Sequence, residues 1–279
     1  MISVVICTYN REKALTKCLN SFLAVAFTEA WELIIVDNNS TDNTKNVIEA
    51  FSSEGKLPIK SVLEKKKGLG NARNKGIATA SYEIVAFTDD DCYPQPDYLT
   101  QLYNAFTNEN IDFLGGRVLL YNKKDLGWTI QLNEREKYFE SNSLIKPGEI
   151  HGANFAFKKS VLTKAKGFDP LFGAGAYFPC EDVDSLAECL WVGGRGKYCP
   201  AVVVSHDHGR RTEADKNELI ESYSIGRGAF FTKRILFKKR QRFIYAKCWF
   251  FFIRNQSVRE TWIEVKSSAN YLKIKTFGK

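Results

Sequence analysis

The chain has no run of about 18 apolar residues, the length a membrane-crossing helix needs, so no segment of it reads as a span. Its start, MISVVICTYNREK, lacks a basic region ahead of the apolar stretch and lacks an A-x-A site, so it reads as a first strand and not a cleaved leader. No C-x-x-C occurs, and the seven cysteines are odd in number and widely spaced. That disfavours a disulfide framework and a zinc ribbon and fits a reducing cytosol, with most cysteines serving as small buried apolar residues. A G-K-S/T loop is missing, which excludes a Walker A site, and no G-x-G-x-x-G follows the first strand, which disfavours NAD. Internal repeats and low-complexity linkers are also absent. What remains is a chain of 279 residues with 44% hydrophobic and 26% charged residues. Those proportions exclude wholesale disorder, and the length allows one large domain or two modest ones.

Acidic residues are scarce at one end. From Arg227 to Lys279 there are 14 Lys/Arg against only Glu260 and Glu264, a net charge of +12, while the other 226 residues carry a net −4. This basic tail interleaves aromatics with cations, as in FFTKRILFKKRQRFIYAKCWFFFIR. Such a segment suits an anionic membrane surface. A helical layer packed on the body with solvated cations is the plainer reading, and a polyanion such as nucleic acid the remoter one.

The first half alternates strands and helices. Strands are expected at Ile2–Cys7, Trp31–Val36, Ile59–Leu63 and Glu83–Phe87, with helices over Asn10–Phe27, Thr41–Phe51, Gly70–Ala80 and Pro96–Phe106. This order predicts an α/β fold with a mostly parallel central sheet, whose ligands bind outside the carboxyl ends of the strands. Beyond Asp112 the pattern is mixed. FLGGRVLLY reads as a strand, 126–139 as a helix, His151–Phe157 as a short strand, Glu181–Trp191 as a helix and Lys197–Val204 as a strand; from Thr212 on the reading is helical.

Polar clusters follow the strands. Thr88-Asp89-Asp90-Asp91 puts consecutive carboxylates after EIVAF, which is costly unless a cation or solvent offsets their repulsion. Alternation would bring Asp89 and Asp91 together, hard oxygen ligands suited to Mn²⁺ or Mg²⁺ on a diphosphate, with Asp90 turned elsewhere; a solvated acidic loop is the bland alternative. Glu181 and Asp182 open a helix after the glycine-rich GAGAYFP, and serve either as helix caps or as a general base beside a flexible loop. Ser205-His206-Asp207-His208 follows a late strand and offers neutral imidazole to a metal. Thr8, Asn10 and Arg11 follow the first strand and Asp37 ends the second. Gly68–Asn74 places glycines and Arg73 at a helix start, where phosphate is favoured.

Together, ISVVICTYNR, IIVDNNSTDNT, GLGNARNKG, FTDDDCYPQPDYL and CEDVDSL resemble, in order and spacing, the motifs of family 2 glycosyltransferases. The resemblance runs from Ile2 to about Gly228. It implies a GT-A fold over 1–228, with a nucleotide-binding half at 1–110 and an acceptor-binding half at 111–228, followed by a basic aromatic helical extension at 229–279. Inverting transfer from a nucleotide-diphosphate sugar is implied, UDP- or dTDP-linked, in cell-surface polysaccharide or glycolipid synthesis. By the same resemblance Thr8, Asn10, Arg11, Asp37, Arg73, Asp89 and Asp90 contact the donor, and Asp91, Asp89 and His206 hold Mn²⁺ or Mg²⁺. Asp182 is the base, with Glu181 beside it, and His151, Gly152 and Asn154 border the acceptor, a saccharide or a lipid-linked one. A cytoplasmic protein, peripheral on the inner membrane face and with no nucleic-acid partner, is expected. One departure is Glu188, which stands where the family often has a cation. A sugar nucleotidyltransferase needs a similar sheet and acids, but also a glycine-rich basic first loop, and CTYNREK has no glycine. The tail alone would suit a non-enzymatic polyanion-binding protein.

Overall fold

The computed structural model describes residues 1–278. Strands β1 (Ile2–Thr8), β2 (Trp31–Asp37), β3 (Ile59–Leu63) and β4 (Ile84–Asp89) form one parallel block, in spatial order β3-β2-β1-β4. The near-continuous apolar runs of β1, β2 and β4 are buried on both faces, as parallel strands require, while β3 at the edge stays partly exposed. Helices α1 (Glu12–Phe22), α2 (Thr44–Glu54), α3 (Leu69–Thr79) and α4 (Tyr98–Asn108) alternate with them or follow. The helix expected over Asn10–Phe27 is shorter because Asn10 sits at φ 54° and the segment beyond Phe22 turns toward β2.

The second half departs from the mostly parallel expectation. Strand β8 (Asn154–Lys158) runs antiparallel to both β4 and β6 (Phe113–Leu120), and the sheet continues through β9 (Gly196–His206) to the short β5 (Cys92–Pro94). The helix expected over 126–139 does not form. Leu126, Trp128, Ile130 and Leu132 alternate at period two, the extended signature. Thr129 sits at φ 57°, Gln131 bridges Val118, and only β7 (Lys137–Phe139) is regular. Helices α5 (Lys159–Ala165) and α6 (Glu181–Trp191) pack on each other behind the sheet.

The C-terminal region is α7 (Glu213–Thr232), a π-helical turn at Lys233–Phe237, α8 (Arg242–Asn255) and α9 (Val258–Phe277). The boundary expected at 228 falls inside α7, which runs through it unbroken. Gly228 lets α7 lie directly on α9: a Cβ there would run into the backbone carbonyl of Glu264. Gly228→Val is therefore expected to destabilise the fold by about 1–3 kcal/mol, as overpacking does. A urea titration that left the midpoint unchanged would show that the two helices are free to part.

Part of the tail's positive charge is structural. Buried Asp184 of α6 receives Lys233 Nζ at 2.7 Å and the guanidinium of Arg234, while Glu188 receives Arg234 Nη1 at 3.1 Å and Lys238 Nζ at 2.6 Å. Glu188 thus answers the tail instead of a phosphate. Burial pushes the Asp184 carboxyl up, and Arg234 and Lys233 more than reverse this, holding it below the ordinary carboxylate range. A depressed folded-state value means the stabilisation is present above the ordinary carboxylate range and is lost as pH falls through the folded value. Asp184→Asn leaves both buried cations undercompensated and is expected to cost on the order of 3–5 kcal/mol near neutrality, shrinking in acid. Melting curves across pH would check this; equal losses at all pH values would assign the effect to packing instead.

Candidate active site

A cavity of about 920 Å³ opens at the carboxyl ends of the parallel strands. Thr8 and Tyr9 at the end of β1, Asn38 after β2 and Asp89–Asp91 after β4 form one wall. Gly68 enters α3 at φ 117°, a conformation that favours glycine, and Asn38 Oδ1 accepts its N–H at 3.0 Å. Opposite stand Glu181 and Asp182 at the start of α6, and His206 at the end of β9.

All three aspartates face this cavity, so the expectation that Asp90 turns elsewhere is corrected: Arg11 bridges it to its neighbour. Arg11 Nε lies 3.0 Å from Asp90 Oδ1 and Nη2 2.5 Å from Asp91 Oδ2. His206 Nε2 lies 3.3 Å from the other oxygen of Asp91. Its Nδ1 is 3.3 Å from the Thr129 carbonyl, which only accepts, so Nδ1 carries hydrogen and Nε2 is the atom directed at Asp91. Burial works against an ionised Asp91, but the His206 hydrogen bond and charge, with Arg11, hold its pKa at about 2. Asp90 is pushed up to about 7 by burial, with Arg11 opposing. This is how one turn keeps three adjacent carboxyls: a cationic pair balances one, and another is readily protonated.

Ligand atoms of Asp89, Asp91, Cys92 and His206 lie within 4.8 Å of one another. The two carboxylates suit Mn²⁺ or Mg²⁺, and the His206 imidazole joins them once Nε2 gives up its proton. Burial holds the Cys92 thiol well above its ordinary value, so it is protonated and a poor ligand. The residues expected to hold a divalent ion therefore fit one.

Arg73 of α3 ties the two acidic clusters together. Its buried guanidinium donates from Nη1 to Glu181 Oε1 at 2.7 Å and from Nη2 to the Gly152 carbonyl at 3.1 Å, with Asp89 at 3.5 Å. It also lies 4.9 Å from the Phe155 ring. That ion pair holds Glu181 in place, and burial pushes its carboxyl up to about 7 despite Arg73. Asp182 accepts the Gly152 N–H at 2.9 Å through Oδ2 and lines the cavity. Cys180 just before them is at φ 80°, an uncommon value for a residue with a side chain, and the strain lies at the site's edge.

Other sequence-derived candidates fall less centrally. Asn10 Oδ1 accepts the Thr41 N–H at 2.7 Å and Asp37 Oδ1 the Ser40 N–H at 2.9 Å, so these side chains brace the loops after β1 and β2 and do not line the cavity. His151 and Gly152 line it. Asn154 does not: fully buried, it donates to the carbonyls of Arg117 and Val202 where the β6–β9 register shifts. Sequence reasoning missed Asn38, Lys67, Trp128, Arg210, Tyr223 and Phe252, all of which line the cavity. For Trp128 the period-two pattern was the available signal; for Arg210 it was the HGRR run that starts at His208. Tyr223 and Phe252 come from α7 and α8, which carry no local sign of facing a site. All seven cysteines are free, and burial pushes the cavity thiol of Cys7 up to about 12, far from a nucleophile.

The sequence profile of the family described as Glycosyl transferase family 2 matches residues 3–164. An uncharacterized glycosyltransferase of Nostoc sp. is 36% identical over 110 residues, 39% of this chain and 34% of the relative. The matched part therefore spans about a third of that relative's length. Among solved structures, S. aureus TarS 1–349 in complex with UDP-GlcNAc superposes with a TM-score of 0.62 at 18% identity, over 98% of this chain and 80% of that one. A mannosyltransferase from Pyrobaculum calidifontis in complex with GDP-Man and Mn²⁺ gives 0.60 at 19%, over 100% and 76%. At these identities the likeness is one of fold, that of GT-A glycosyltransferases.

Proposed function

We propose, from the premise that this chain belongs to glycosyl transferase family 2, that it moves a sugar from a nucleoside-diphosphate sugar to an acceptor hydroxyl with inversion at the anomeric carbon. The observation that carries the reading is that Asp91, His206 and Asp182, far apart in sequence, line one cavity at the strand ends. The donor is read as UDP- or dTDP-linked, its nucleoside lying against Thr8, Tyr9 and Asn38 and its diphosphate near Arg11 and Lys67. Asp91, Asp89 and His206 would hold Mn²⁺ or Mg²⁺, which supplies Lewis-acid neutralisation of the leaving diphosphate. Asp182 accepts the acceptor's proton as its oxygen attacks the anomeric carbon, and the bond to the diphosphate oxygen breaks with its electron pair leaving on that group. Arg73 fixes Glu181 and the Gly152 carbonyl, so the loop that orients Asp182 stays in place. His151 and Gly152 border the acceptor's approach.

The acceptor is a saccharide, free or lipid-linked, in surface polysaccharide or glycolipid synthesis. We place the enzyme on the cytoplasmic side, peripheral on the membrane through its basic C-terminal helices; no described helix is long and apolar enough to cross a bilayer. Product analysis with UDP-GlcNAc and Mn²⁺ tests the reading. Release of UDP supports it, whereas pyrophosphate released from a nucleoside triphosphate and a sugar 1-phosphate would point to nucleotidyl transfer.

A further inference from the structure

Helix α8 carries a stripe that no other part of the described chain covers. Phe243, Phe250 and Phe251 are 85%, 61% and 65% exposed, and Lys247 and Arg254 are exposed beside them. Positions 243, 247, 250, 251 and 254 recur at helical spacing and share one face. The inward face holds buried Tyr245 and Cys248, with Trp249 Nε1 donating to Glu264 Oε2 at 2.6 Å. The helix is thus anchored from within, while its outer face is aromatic and cationic. No carboxylate occurs anywhere in α8, and the segment from Arg227 onward carries a net +12. Three exposed phenylalanines in one stripe gain most by entering hydrocarbon, and the interleaved cations suit lipid phosphates, their stems lying along the apolar boundary.

We propose that this face of α8 docks on an anionic lipid bilayer, with Phe243, Phe250 and Phe251 entering the headgroup–acyl boundary and Lys247 and Arg254 meeting lipid phosphates. The same helix reaches the catalytic cavity: Phe252, turned off the stripe, lines it together with Arg227 of α7. Docking therefore sets the α7–α8 wall of the cavity beside the bilayer, and the acceptor class that fits is one anchored there by a lipid. The acceptor class rests on the transferase reading; the docking does not.

Sedimentation with phosphatidylcholine vesicles, with and without phosphatidylglycerol, tests it on the full chain. Wild type is expected to partition onto the anionic vesicles only, and less so at high salt. A triple variant, Phe243→Ser, Phe250→Ser and Phe251→Ser, is expected to bind about 100-fold more weakly, since each ring's apolar transfer is lost. These positions are exposed, so melting temperature should hold; Lys247→Glu with Arg254→Glu is the second probe and should abolish the anionic preference. Binding by the variants equal to wild type, no vesicle binding by wild type, or tighter binding to single-stranded nucleic acid than to vesicles would overturn the proposal. UDP-GlcNAc affinity of the triple variant separates the two readings. Vesicle binding lost with donor affinity intact supports both, while vesicle binding by wild type without affinity for any UDP- or dTDP-sugar retains docking and removes the donor reading on which the acceptor class rests.

Discussion

Asp182→Asn is expected to cut glycosyl transfer by ~10²–10⁴, the span of general base catalysis, with donor binding unchanged. The substitution is isosteric, so the Gly152 N–H that Asp182 Oδ2 accepts at 2.9 Å can still be met by the amide oxygen. What is lost is the capacity to take a proton, along with the acceptor that Oδ1 offers the Val183 N–H at 2.8 Å. Glu181 is no substitute, because its Oε1 is held by Arg73 Nη1 at 2.7 Å and its side chain is only 11% exposed. Glu181→Gln should therefore act mainly by loosening Arg73, with a smaller loss of rate. Steady-state kinetics on both variants decides the matter: a large loss in Glu181→Gln beside a near-normal Asp182→Asn would exchange their roles.

Asp91→Ala is expected to weaken metal-dependent donor binding by at least ~10²-fold, more than the 10–100-fold typical of losing a mere supporting contact to a metal ligand. Asp91 is where Arg11 and His206 meet, and its carboxyl is held at about 2, so it is ionised and available across the physiological range. Its removal leaves Arg11 with Asp90 and frees the His206 imidazole. Calorimetry with UDP-GlcNAc and Mn²⁺ reads the change; an affinity equal to wild type would remove Asp91 from the donor site.

Much of this architecture is legible along the chain because parallel strands announce themselves. Apolar runs such as ISVVI, each closed by a polar cluster, place β1, β2 and β4 and their chemistry at once, since the site lies where those strands end. The Glu181 helix is legible for a similar reason: acids fall at its first turn, where the dipole favours them. The second half resists because its organisation is non-local. Antiparallel β8 inserts between β4 and β6 through pairings that no neighbouring residue advertises. Asn154 looked like an acceptor contact beside His151 and Gly152, yet the alternation of a strand turns it into the β6–β9 bulge. Arg73 was placed near phosphate on the strength of its helix start, whereas its buried partners Glu181, Gly152 and Phe155 come from other elements altogether. Glu188 likewise makes sense only with Arg234 and Lys238 in view.

The most direct test of a shared acidic pocket for metal and donor is a thermal-shift titration of the full chain with UDP- and dTDP-sugars, each with Mn²⁺ and with chelator. A ligand that binds only the folded state raises the melting temperature by mass action. A rise with at least one nucleotide sugar that depends on Mn²⁺ and vanishes in Asp91→Ala is the predicted result. A curve unmoved by every nucleotide sugar, or a rise of the same size in Asp91→Ala, would contradict it.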